Sequence, residues 1–248
     1  MQFIKPEWPA PAAVQALVTT RAGGFSQPPY DSLNLGDHVG DDPAAVAQNR
    51  LRLRGFLPAE PKWLRQVHGT TVALADSLAE AVEADAAVAF EPGTVCTVLT
   101  ADCLPVLFCD RQGTRVAAAH AGWRGLAAGV LEASVAAMRC PPSEILAWLG
   151  PAIGPAAFEV GPEVRKIFVD QNPEDAAAFT PHASRLTPHR FMADIYELAR
   201  LRLARAGVRE VHGGGLCTYS DADRFYSFRR DKLTGRMASL IWLGGPAA

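Results

Sequence analysis

Apolar residues in this chain come in short runs, and the period of the pattern switches repeatedly between that of a strand and that of a helix. Residues 14–20 read as a strand, broken by Arg21-Ala22-Gly23-Gly24. The densest pattern spans 98–129. There, two apolar runs, 98–109 and 116–120, flank Asp110-Arg111-Gln112-Gly113, a hairpin signature. Asp102 and Cys103 fall at the mouth of one strand, and His120 ends its neighbour. The turn Gly122-Trp123-Arg124-Gly125 then opens an Ala-rich helix with Leu126, Val130 and Met138 on one side.

The remaining pattern interleaves the two periods. Residues 30–43 form a long polar loop, and loops of that length inside compact domains are usually functional. Asp42 caps a predicted helix over 44–53, with Pro43 at its first position. Residues 63–72 alternate like a strand interrupted at His68-Gly69, and an Ala/Glu-rich stretch, 75–87, follows. Residues 145–150 make a short buried strand that Gly150-Pro151 stops, and a helix begins near Pro162. Residues 172–192 read as a polar, irregular link holding His182 and His189. Residues 193–206 form an amphipathic helix with Ile195, Leu198, Leu201 and Leu203 inward and Arg200, Arg202 and Arg205 outward, ended by Gly207. Strands are predicted over 208–213 and 237–243. The expected architecture is an α/β protein with a mixed sheet, in one domain over 1–248.

Composition narrows the function more than the fold. The chain has 248 residues, 49% of them hydrophobic, enough for a sizeable core. Its 24 Lys and Arg nearly balance 26 Asp and Glu, for a net charge of −2, which argues against a nucleic-acid partner. No run reaches the roughly 20 apolar residues a membrane span requires. The first residues lack the basic and apolar regions of a signal peptide, so a cytoplasmic location is expected. Five cysteines, with no Cys-x-x-Cys pair, point to reduced thiols; Cys96, Cys109 and Cys140 read as small core residues.

Two of the six histidines, His68 and His120, sit beside strand breaks, and Cys103 offers a soft ligand at a third. His, His and Cys make a plausible catalytic zinc set with an open coordination position. Spacing alone reads them more readily as two core histidines and a buried thiol. The same atoms also suit a nucleophilic Cys103 with His120 as its base, 17 residues apart across a hairpin. Asp102 is a natural proton carrier beside either arrangement. Arg124 at a helix start is an anion candidate, as are Arg21, Arg229 and Arg230.

These stretches, in this order, resemble the YfiH family, also called DUF152, the polyphenol-oxidase-like or peptidoglycan-editing-factor family. The matching segments are 20–24, 34–43, Gln66-Val67-His68-Gly69, 100–105, 120–125, 149–154 with 158–161, and 217–236. The resemblance implies zinc on His68, Cys103 and His120, with copper as the other metal associated with the family. It implies a small-molecule partner and purine nucleoside chemistry: phosphorolysis of adenosine, inosine and methylthioadenosine, and deamination of adenosine. Asp102, Cys103 and Glu159 are then the expected catalytic groups, and Arg21, Asn34, Arg124 and Arg229 the expected substrate and phosphate contacts. The alternatives are a Cys-His amide hydrolase acting on peptidoglycan precursors and, less favoured, a copper polyphenol oxidase, which would need several His-x-His pairs where this chain has none. The fold implied is a mixed β-sandwich with helices outside.

Overall fold

The structure, a computed structural model, describes residues 1–182 and 189–245. Its strands, in chain order, are β1 Phe3–Ile4, β2 Val14–Thr19, β3 Val72–Leu74, β4 Ala86–Ala89, β5 Cys96–Thr100, β6 Leu104–Asp110 and β7 Val116–Ala121. They continue as β8 Ile145–Leu149, β9 Glu159–Val160, β10 Phe179–Pro181, β11 Phe191–Ala193, β12 Glu210–Gly213 and β13 Met237–Leu243. The helices are α1 Pro43–Arg54, α2 Trp123–Ala128, α3 Val130–Ala137, α4 Pro162–Gln171, α5 Ile195–Arg205 and α6 Phe228–Asp231. A six-stranded mixed sheet runs β12-β8-β6-β7-β4-β3, and a four-stranded antiparallel sheet runs β1-β2-β13-β5.

Strand β6 explains why the layers stack as they do. All seven of its residues are buried, so its apolar run is continuous rather than alternating. Leu107 and Cys109 face the smaller sheet, packing with Val98, Val14 and Ile241 to make the interior of a sandwich. Val106 and Phe108 face the other way, where Leu126, Val130, Leu131 and Leu198 of the helices cover the larger sheet. Ala117, Ala119 and Ala121 give β7 a shallow surface on that side, which lets the helices approach closely. Among the described residues, no helix is long and apolar enough to cross a membrane.

The hairpin predicted around Asp110 forms between β6 and β7, in the register Leu104↔Ala121 and Pro105↔His120. Asp110 closes its turn by accepting from the amides of Thr114 and Arg115 and from the Thr114 hydroxyl. The apolar run before it is two strands and not one. β5 lies in the four-stranded sheet and β6 in the six-stranded sheet, and the chain crosses between them at Ala101-Asp102-Cys103. Asp102 takes a left-handed φ of 88° to make that crossing.

Other departures have local causes. The Ala-rich helix is split into α2 and α3 by Gly129, whose φ of 102° ends the first. The 63–72 stretch contributes a single isolated bridge, at Arg65, before β3, and His68 is left-handed at φ 62°. Of the link at 172–192, residues 183–188 lie outside the described residues, and on either side of them β10 and β11 pair and join β9 in a small third sheet. Helix α5 starts at Ile195, where Asp194 accepts from the Tyr196 and Glu197 amides. Its Arg202, expected outside, is buried: the guanidinium donates to Glu132, Gln171 and the Ala127 carbonyl.

Candidate metal centre and its cavity

Three separate breaks in the sandwich converge on one point. His68 comes from the left-handed loop before β3, Cys103 from the crossing between sheets, and His120 from the end of β7. One ligand atom from each lies within 4.8 Å of the others. Cys103 Sγ stands 3.8 Å from His68 Nε2, and the two imidazole rings meet edge to face with centroids 4.7 Å apart. Gly122 lies against them: a Cβ there would come within 2.9 Å of both Cys103 Sγ and His68 Cδ2. That close approach is the physical reason for a glycine at the start of α2.

Asp85, which the sequence reading passed over, holds the group together. Its carboxylate is fully buried and accepts four hydrogen bonds. They come from the Val67, His68 and Gly69 amides at 3.1, 2.9 and 2.7 Å and from His120 Nδ1 at 2.8 Å. The available signal was an acid directly preceding the apolar strand β4, where a charge is expensive to bury without partners.

Electrostatics bind the thiol and imidazole as a pair. Burial acts to raise the Cys103 thiol, but the charge and hydrogen bonds of His120, aided by His68, outweigh it and hold the thiol down to about 6. Burial likewise acts to lower His120, and Cys103 together with Asp85 raises it to about 9. The thiolate's contribution to stability is full above the ordinary thiol value of 9.0 and is lost as pH falls through about 6. The imidazolium's is full below 6.5 and is lost as pH rises through about 9. Metal-free protein should therefore carry a thiolate at pH 7 whose ultraviolet absorbance disappears through about pH 6. Subtracting the Cys103→Ser spectrum isolates it from Cys217, whose thiol is also lowered; burial opposes that shift, and the Ser220 hydrogen bonds outweigh it. A difference midpoint near 9 would contradict the ion pair.

The centre opens into a cavity of about 500 Å³. Arg124, Arg229, Lys232 and Arg236 line it, against Asp102 as the carboxylate. Asp102 is clamped: one oxygen accepts from the Thr218 hydroxyl and the other from the Arg229 amide, each at 2.6 Å. Arg124 stacks over Trp123 at 4.4 Å, and its guanidinium makes no hydrogen bond among the described residues. Helix α2 is only six residues long, so anion attraction here rests on the guanidinium and not on a helix dipole. Phe228, half exposed, puts an aromatic ring in the lining.

Three residues expected at the site lie outside that lining. Arg21 is tied to Asp31 and to the Ala222 carbonyl. Asn34 is buried in the loop scaffold and reaches the cavity only by accepting from the Arg236 amide. The Glu159 carboxylate faces His182 and Arg190, while its carbonyl accepts from Arg229 Nη1 at 2.9 Å. Asn34 and Glu159 thus hold cavity arginines in place.

Fold and site together define an α+β sandwich carrying one His-Cys-His centre, able to hold a single metal ion, beside a cationic cavity. The chain belongs to the YfiH family, DUF152, whose model, described as multi-copper polyphenol oxidoreductase laccase, matches residues 15–244. A purine nucleoside phosphorylase of Pseudomonas aeruginosa is 62% identical over 241 residues, covering 97% of this chain and 98% of that one. The purine nucleoside phosphorylase YfiH of Escherichia coli is 56% identical over 245 residues, covering 98% and 99%. The crystal structure of a Neisseria meningitidis protein of the family superimposes with a TM-score of 0.94 at 53% identity, covering 99% of this chain and 100% of that one.

Proposed function

We propose that this chain is a zinc-dependent purine nucleoside phosphorylase acting on adenosine, inosine and methylthioadenosine, with deamination of adenosine as a second activity of the same cavity. The observation that carries the reading is the meeting of a His68-Cys103-His120 donor set with a cavity in which four cations face one carboxylate. Two imidazoles and a thiolate suit zinc and leave a coordination position open. They do not suit a multi-copper oxidase: the chain has no His-x-His pair, and the described residues hold a single three-residue group. When bound, zinc supplies Lewis-acid polarisation of a substrate heteroatom and makes water more acidic.

The chain's own residues divide the remaining work. Arg124, whose guanidinium has no hydrogen bond among the described residues, and Lys232 are available to bind inorganic phosphate beside the sugar. Arg229 and Arg236 are held by main-chain carbonyls and present their remaining donors to the cavity. Asp102, fixed by Thr218 and the Arg229 amide, is placed to hold or release a proton next to the centre, the need that favours deamination as the second reading.

Phosphorolysis needs phosphate in the cavity and deamination does not. Arg124→Ala is expected to reduce phosphorolysis by about 30- to 150-fold, the equivalent of roughly 2–3 kcal/mol for one charge-assisted contact. Deamination should fall much less. Supplying adenosine with and without phosphate, and separating adenine from inosine by chromatography, reads both reactions at once. Equal loss of both products would remove Arg124 from the phosphate site. Absence of both in the wild type would move the assignment to amide hydrolysis by Cys103 and His120.

A further inference from the structure

We propose that Asp85 is the positioning residue of the metal centre, one carboxylate that sets both histidine ligands at once. The inference rests on the reading of His68, Cys103 and His120 as a metal site. Asp85 acts on the two histidines by different routes. On His120 it acts through the ring: a carboxylate can only accept, so the proton sits on Nδ1 and the Nε2 lone pair is left for a metal. On His68 it acts through the backbone: three consecutive amides converge on the carboxylate and hold His68 at φ 62°, a conformation unfavourable for a residue with a Cβ. The Asp85 carbonyl adds a further tie, accepting from the His120 amide at 2.7 Å. Cys103 is not among the hydrogen-bond partners of the Asp85 carboxylate and is placed by the crossing between the sheets.

The arrangement makes the effect of an isosteric change unusually specific. In Asp85→Asn one of the two oxygens becomes an NH2 donor. If the amide oxygen serves Val67 and Gly69, the NH2 faces both His120 Nδ1 and the His68 amide: the imidazole must move its proton to Nε2, which closes that ligand position, and the His68 N–H meets a donor. If the amide is turned over, the NH2 faces the Val67 and Gly69 amides, donor against donor, and the loop that fixes His68 comes loose. At least one histidine ligand is disturbed in either orientation, and Cys103 is spared in both.

The test uses cobalt(II) as a visible probe, with zinc affinity measured by chelator competition on the full chain. Asp85→Asn should bind zinc about 10- to 100-fold more weakly. At saturating cobalt it should keep the thiolate-to-metal charge-transfer band of Cys103 while its d–d bands change. A purely structural role for Asp85 would lower the melting temperature and leave affinity and spectrum per folded molecule as in the wild type, and that outcome would overturn the proposal. Should Asp85→Asn fail to fold, nitrogen-15 NMR of the histidines in zinc-loaded wild type decides: a proton on His120 Nδ1 in slow exchange supports it, and an unprotonated Nδ1 overturns it. Wild type that takes up neither metal would overturn the centre itself along with Asp85's role, whereas wild-type binding with an unaffected variant would overturn Asp85's role alone.

Discussion

His120→Ala should purify without bound metal and lose phosphorolysis by more than about 100-fold, beyond the 10- to 100-fold that loss of an outer-shell partner costs. The expectation follows from where the side chain sits. His120 is 3% exposed, its Nδ1 is held by Asp85, and its Nε2 is one of only three ligand atoms in the group. Among the described residues, no fourth His, Cys or carboxylate joins the group. Elemental analysis of protein purified without added metal, alongside chromatographic assay of adenine release, measures both losses together. Arg124→Ala serves as the control: it should retain full metal while losing phosphorolysis. Near wild-type activity in His120→Ala would place the chemistry elsewhere. An active, metal-free wild type, inactivated in step with alkylation of Cys103, would instead favour the amide-hydrolase reading.

Arg205→Met should destabilise the fold by about 3 kcal/mol without touching the cavity. Asp175 is fully buried, and Arg205 meets it with two hydrogen bonds, at 2.7 and 3.2 Å. Removing the guanidinium strands a charge in the interior, a change that typically costs about 3–5 kcal/mol, and the side chain's 29% exposure sets the expectation at the lower end. For a chain of this length the melting temperature should fall by roughly 6–12 °C. The double variant Arg205→Met with Asp175→Leu should recover most of the loss, because no charge is then left unpaired. Urea or thermal unfolding of the three proteins checks the claim; equal destabilisation in the single and double variants would mean that the unpaired Asp175 charge is not the cause of the loss.

Much of the fold was legible from local chemistry. The 110–115 hairpin turn, the Asp42 cap of α1 and the Gly207 stop of α5 are decided by residues close in sequence, so pattern and turn chemistry suffice for them. His68, Cys103 and His120 were recognisable as residue types out of place at strand breaks, and the order of motifs around them carried the family. Zinc against copper, and nucleoside against cell-wall precursor, belong to chemistry that residue spacing does not encode.

What only the tertiary structure decided is long-range by nature. The apolar run 98–109 looks like one strand because both halves are buried on both faces, and a period cannot register that its two halves join different sheets. The crossing depends on Asp102 being held by Thr218 and the Arg229 amide, 116 and 127 residues away. Arg202 had the spacing of a solvent-facing residue and is buried because Glu132, Gln171 and the Ala127 carbonyl meet it there. Arg21, Asn34 and Glu159 carried the family pattern, yet their side chains face loop partners and not the cavity. Asp85 was the least visible of all. A lone acid before an alanine-rich strand signals only that a buried charge needs partners; which partners lies in four donors supplied by residues 16 to 35 positions away, gathered only when the sheets close. The chain by itself determined which chemical groups are available and how each short segment is shaped, since those depend on local sterics and hydrogen bonding; folding alone determined which groups meet, since a charge is buried only where distant partners have already been brought to it.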